Sequence, residues 1–194
     1  MAVNLVKGQK ISLAKADGGT LSQVFMGLGW DTAKPGFMGR MLGGDGSIDL
    51  DASCIMFDDN KQLVDTIWFG QLRSQDGSIK HSGDNRTGDG DGDDEVIHVD
   101  LSRVPNHVKI LVFTVNSFTG ETFDKVTNAF CRMVDSTNRQ EVAKLNLSDV
   151  KGPHTAVIMA KVYRHNGEWK MHAIGENASG RTFHDLLPRV LPHL

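Results

Sequence analysis

At 194 residues, with 39% apolar and 23% charged side chains, the chain is long enough to bury one full core, and a single domain spanning 1–194 is expected. Its net charge of −3 comes with no basic stripe of the kind nucleic acid requires and no Lys/Arg cluster suited to a membrane surface, so nucleic-acid binding is not expected. The opening MAVNLVKGQKISL lacks a signal peptide's apolar run, the longest apolar stretches are about a third of a membrane span, and Cys54 and Cys131 have no CxxC spacing; the expectation is a cytoplasmic protein with no disulfide framework and no transmembrane segment.

In chain order the sequence reads as short strands separated by turns. Residues 10–13 and 23–30 are extended candidates around a polar connection, and Trp30-Asp31 closes the second. Residues 32–46, with Pro35 and five glycines, form a long loop. The run 48–54 then alternates apolar and polar, which places Asp49, Asp51 and Ser53 on one face with neighbours about 6.6–6.8 Å apart along the strand. Two carboxylates side by side on a sheet cost energy unless a cation or a base lies over them.

Residues 63–72 read as a further strand, and Gln75-Asp76-Gly77 as a turn leading into a very acidic stretch. Beyond it, 96–101 alternates, and 108–115 is β-branched and almost continuously apolar, as a central strand buried on both sides should be. Phe123, Val126 and Phe130 fit a helical turn or a bulge. Strands follow at 129–134, 141–147, 155–164 and 169–175, the last two joined by His165-Asn166-Gly167, a strong hairpin signal. The tail 183–191 has helical spacing, with Pro188 placed to kink or end it. About nine strands, one short C-terminal helix and no βαβ alternation predict an all-β fold, an antiparallel β-sandwich.

The acidic stretch is residues 83–95, GDNRTGDGDGDDE. It holds six of the chain's 24 acids and one of its 21 bases, Arg86, leaving 18 acids against 20 bases elsewhere. Like charges at this density repel unless a cation sits among them. Oxygen donors without His or Cys point to a hard ion, calcium first and magnesium second. Counting Asp89 as the first position superficially follows an EF-hand, but Asp94 stands where glycine is needed and Asp100 where a bidentate Glu is needed, and 96–101 alternates like a strand. A loop between strands, whose carboxylates meet Asp49 and Asp51, fits better.

Several segments carry a family resemblance: GLGWD at 27–31, DLDAS at 49–53, HSGDNRTGDGDGDDE at 81–95, NSF at 116–118 and YRHNGEWK at 163–170. They resemble the TerD family of tellurium-resistance and stress proteins, and SIDLDASC, DEVIHVDLSRVP and GRTFHDLLP are similar to its TerZ branch. The resemblance implies a β-sandwich that binds calcium, commonly two ions, with no assigned catalytic activity. By motif it implies metal ligation by Asp31, Asp49, Asp51, Asp84, Asn85, Asp89, Asp91, Asp93, Asp94 and Glu95, with Asp45 of a TerZ-type insertion approaching the site. The partners it implies are calcium ions and other tellurium-resistance proteins, a membrane-associated complex being one setting. The functional expectation is a calcium-loaded interaction module in the stress response rather than an enzyme; the alternative is a metal-dependent phosphoesterase using the clustered carboxylates. The two cysteines lie in apolar patterns and read as inert buried thiols. Among the histidines, His81 beside the acidic stretch is the one to watch.

Overall fold

The computed structural model describes residues 3–15, 19–32, 48–86, 92–147 and 152–194. Within them the chain forms β1 (Val3–Asn4), β2 (Lys10–Ser12), β3 (Gln23–Thr32), β4 (Leu50–Asp58), β5 (Leu63–Ile67), β6 (Ile79–His81), β7 (Glu95–Asp100) and β8 (Val108–Ser117). There follow β9 (Val126–Asp135), β10 (Gln140–Asn146), β11 (Ala156–His165), β12 (Glu168–Ala178) and a helix α1 (Phe183–Val190). They make two six-stranded sheets, in the orders β1-β10-β9-β3-β7-β6 and β2-β12-β11-β8-β4-β5. All neighbours are antiparallel except β1 and β10, which run parallel.

The expected sandwich is therefore present, with twelve strands among the described residues where about nine were read. β1 and β6, two and three residues long, are too short to show alternation. Residues 63–72 do not continue as one strand: β5 ends at Ile67, and Trp68 and Gln71 then exchange backbone hydrogen bonds in a tight turn. The ambiguous Phe123 segment is a 3-10 turn, Phe123–Lys125. At the Asn-Gly hairpin, Asn166 and Gly167 have φ of 53° and 81°, as a two-residue turn with both central residues left-handed requires.

The main core lies between the sheets, where Leu28, Trp30, Leu50, Met56, Phe113 and Met133 pack together. A second apolar cluster covers the outer face of the β4-β8-β11 sheet, where α1 sets Phe183, Leu186 and Val190 on Ile55, Phe57, Val112 and Ile158. Burying each such side chain contributes roughly 1.5–3 kcal/mol, which explains why α1 continues to Val190 past Pro188 before a 3-10 turn, Leu191–His193. The Asp185 carboxylate starts the helix by accepting from the N–H groups of Arg181 and Thr182. With a sheet core on one side and α1 on the other, β4 is buried on both faces from Leu50 to Phe57. Among the described residues no helix is long and apolar enough to cross a membrane.

Candidate metal centre

The site is built where β4 outruns its neighbour. β5 pairs with β4 from Cys54 onward, so at Ala52 the β4 edge has no strand beside it on that side. Two side chains from the opposite sheet stand in for one. Glu95, the first residue of β7, accepts the Ala52 N–H through Oε2 at 2.7 Å, and Nε2 of His81, the last residue of β6, lies 3.2 Å from the Ala52 carbonyl. The Gly83 N–H donates to His81 Nδ1 at 3.0 Å, so the ring hydrogen sits on Nε2, facing the Ala52 carbonyl and Glu95 Oε2 3.4 Å away. Glu95 Oε1 accepts the N–H of Asn85 at 3.2 Å. Glu95 is fully buried and His81 nearly so. The start of the acidic stretch is thereby bolted to β4.

Three of the expected ligands converge beside this bolt. One carboxylate oxygen from each of Asp49, Asp51 and Asp84 lies within 4.8 Å of the other two. Asp51 is 2% exposed and Asp49 9%, while Asp84 reaches in from the surface. The polar face of β4 read from the alternation is thus not a solvated face; the acidic stretch and the C-terminal segment close over it. Burial, then the charges of Glu95, Asp49 and Asp84, push the Asp51 carboxyl up to about 8, against a lowering by its bond from Asn116. Burial and then Asp84 also raise Asp49, with Arg86 opposing. Asp49 Oδ1 is buried and accepts no hydrogen bond from the described residues.

Asn116 adds a second orphan. Its Nδ2 donates to Asp51 Oδ2 at 3.3 Å and to the Arg181 carbonyl at 2.5 Å, which leaves Oδ1 buried without a partner. A buried acceptor without a donor is costly, on the order of 1–3 kcal/mol. Sequence reading missed this residue. Its signal is register: Asn116 lies directly opposite Asp51 across the β4-β8 pair, which the sequence places 65 residues away.

The remaining expected ligands are disposed differently. Asp93 is held by Arg132 in a two-pronged ion pair, Nε to Oδ1 at 2.8 Å and Nη2 to Oδ2 at 2.9 Å. Asp94 accepts the Trp30 N–H at 2.9 Å and Asn85 Nδ2 at 3.1 Å, and burial raises its pKa despite the Trp30 bond. Asp31 accepts Asn128 Nδ2 at 2.7 Å. These residues lie along β3, whose GLGWD segment is glycine-rich for a visible reason. A Cβ at Gly27 would fall 2.4 Å from the Asp93 carboxylate, and one at Gly29 2.5 Å from the Gly92 carbonyl and from the Phe130 ring. Glycine lets the acidic stretch lie flat on the strand. Asp45, Asp89 and Asp91 fall outside the described residues.

The donor set suits a hard cation. Oxygens on one calcium at about 2.3–2.6 Å lie no more than about 5 Å apart, a limit the trio meets at 4.8 Å. No ammonium or guanidinium from the described residues makes an ion pair with the trio. Cys54 and Cys131 supply nothing here: both are buried and free, and burial raises both thiols, Cys131 to about 12.

The TerD domain model matches residues 1–188. The chain belongs to the TerD family. This TerD-family chain is 50% identical to the tellurium resistance protein TerZ of Serratia marcescens, over 95% of its own length and 94% of that protein's. It is 42% identical to the stress response protein SCP2 of Bacillus subtilis, over 97% and 99%. A crystal structure of a protein of unknown function superposes with a TM-score of 0.70 at 26% identity, covering 86% of this chain and 96% of that one. A TerD homologue from Streptomyces coelicolor gives 0.69 at 24% identity, over 82% and 92%, and so shares the fold. The TerD-family sandwich is thus tied to tellurium-resistance and stress-response proteins.

Proposed function

We propose that this chain is a calcium-binding protein of the tellurite and stress response that acts as a metal-loaded interaction module in the cytoplasm. The observation that carries the reading is the Asp49, Asp51 and Asp84 trio, with two carboxylates buried and Asp49 Oδ1 without a donor among the described residues. Asp49, Asp51 and Asp84 would hold the cation, with Asn85, Asp89 and Asp91 of the acidic stretch as the further oxygens that the family motif supplies. When bound, the ion would supply the positive charge that lets the trio ionise together. Two ions would move the formal charge from −3 to +1, enough to change which partners the acidic end attracts.

The phosphoesterase alternative requires a general base near the carboxylates. His81 is a poor one, because Nδ1 accepts from Gly83 and Nε2 faces the Ala52 carbonyl in a buried site. The test is calorimetric titration of chelator-stripped protein with calcium and, separately, magnesium, alongside phosphate-ester turnover with magnesium or manganese. Tight calcium binding without turnover supports the module. Preference for magnesium or manganese with turnover would replace it by the enzyme.

A further inference from the structure

On the outer face of the β2-β12-β11 side, far from the acidic stretch in sequence, three basic side chains stand in one cross-strand row. Lys10 is the register partner of His172, and His172 is the register partner of Lys161. Their chain neighbours Ile11, Met171, Ala173, Ala160 and Val162 pack in or against the inter-sheet core, so the row points outward. Directly opposed side chains on adjacent antiparallel strands have Cβ atoms about 4.5–5.5 Å apart, and like charges so placed destabilise a sheet.

We propose that this row is a binding site for a phosphate-class oxyanion. The surrounding charges do not offset it. Of the two carboxylates on the same strand, Glu176 is joined to His193 Nε2 at 2.8 Å, and Glu168 lies at the hairpin end of β12, in register with His165. Lys161 spends one of its three donors on the His193 carbonyl beyond the end of α1. That bond accounts for Lys161, since a cation at a helix C-terminus is favourable, but gives no reason for Lys10 and His172 to stand beside it. His172 Nδ1 is buried and without a hydrogen-bond partner among the described residues. Burial first and then Lys10, Lys161 and His193 hold the His172 pKa down, and burial with Lys10 and Lys61 does the same for Lys161.

Two flexible ammonium groups flanking an imidazole fit a tetrahedral anion, which presents three or more oxygens to donors from three strands. A planar carboxylate has two. No local pattern announces the row, because residues 10, 161 and 172 meet only through the order β2-β12-β11.

The test is NMR observation of the His172 ring in calcium-free full-length protein titrated with inorganic phosphate. Vesicles of phosphatidylcholine, with and without phosphatidic acid, form a parallel arm. Phosphate should shift the His172 signals, and Lys10→Gln, a change at an exposed edge position, should weaken binding about tenfold, as loss of one charge-assisted hydrogen bond would. Binding of free phosphate identifies a soluble ligand, and binding only to phosphatidic acid vesicles a lipid headgroup; either outcome, if sensitive to Lys10→Gln, upholds the site. A His172 signal unmoved by both probes, or equal affinity in Lys10→Gln and the parent protein, overturns it.

Discussion

Two groups of carboxylates meet at one end of this sandwich, and they are treated in opposite ways. Glu95 and Asp93 are saturated by the protein itself, Glu95 by backbone N–H groups and His81, Asp93 by the Arg132 guanidinium. Asp49, Asp51 and Asp84 converge with, among the described residues, a single side-chain amide hydrogen bond, from Asn116 to Asp51. Asp84 comes from the same acidic stretch as Glu95 and Asp93, whereas Asp49 and Asp51 come from the β4 segment. Density of acid therefore does not define a cation site; the shortage of protein donors does.

The comparison can be broken most severely at Glu95. Replacing it by Ala takes this acceptor from the Ala52 and Asn85 N–H groups and leaves the His81 ring with the Ala52 carbonyl alone. A loss of about 3–5 kcal/mol in urea denaturation is expected, with or without calcium, as for removal of one partner from a buried polar pair.

The trio should respond to pH in the direction opposite to an ordinary paired carboxylate. With the folded-state Asp51 pKa raised to about 8, and an unfolded value of about 3.9, the ion-free folded chain keeps a proton that the unfolded chain releases. Its stability then falls as pH rises from about 4 and levels off above about 8. Thermal melts across this window should show that decline in chelator, and Asp51→Asn should flatten it. Calcium affinity should climb over the same range, because the ion displaces that proton.

A smaller effect separates Asp93 from the trio. Asp93→Asn breaks the Arg132 fork, which is partly exposed on the arginine side, and should lower stability by about 1–2 kcal/mol. Calcium affinity should change less than about threefold if Asp93 serves as a brace. A loss comparable to that of a trio variant, read by the same titration, would return Asp93 to the ligands.

What was legible in the sequence follows from what alternation and turn chemistry encode locally. The sandwich, the buried central strand at 108–115 and the Asn-Gly hairpin were readable because each is written within about ten residues. The acidic stretch was readable as unusual because its charge is local. Whether each acid has a partner is not local: Arg132 lies 39 residues from Asp93, and Asn116 lies 65 from Asp51. How deeply the polar face of β4 is covered was unreadable for the same reason, since α1 and the acidic stretch arrive from about 130 and 30 residues away. Likewise the roles of Gly27 and Gly29 became visible only with Asp93 and Gly92 lying across them.

The most direct measurement is calcium titration of chelator-stripped Asp51→Asn beside the parent chain, with circular dichroism to show that both are folded. The variant is expected to keep its fold and to lose at least about a hundredfold in calcium affinity, roughly 2.7 kcal/mol. Undiminished calcium binding by a folded Asp51→Asn chain would contradict it.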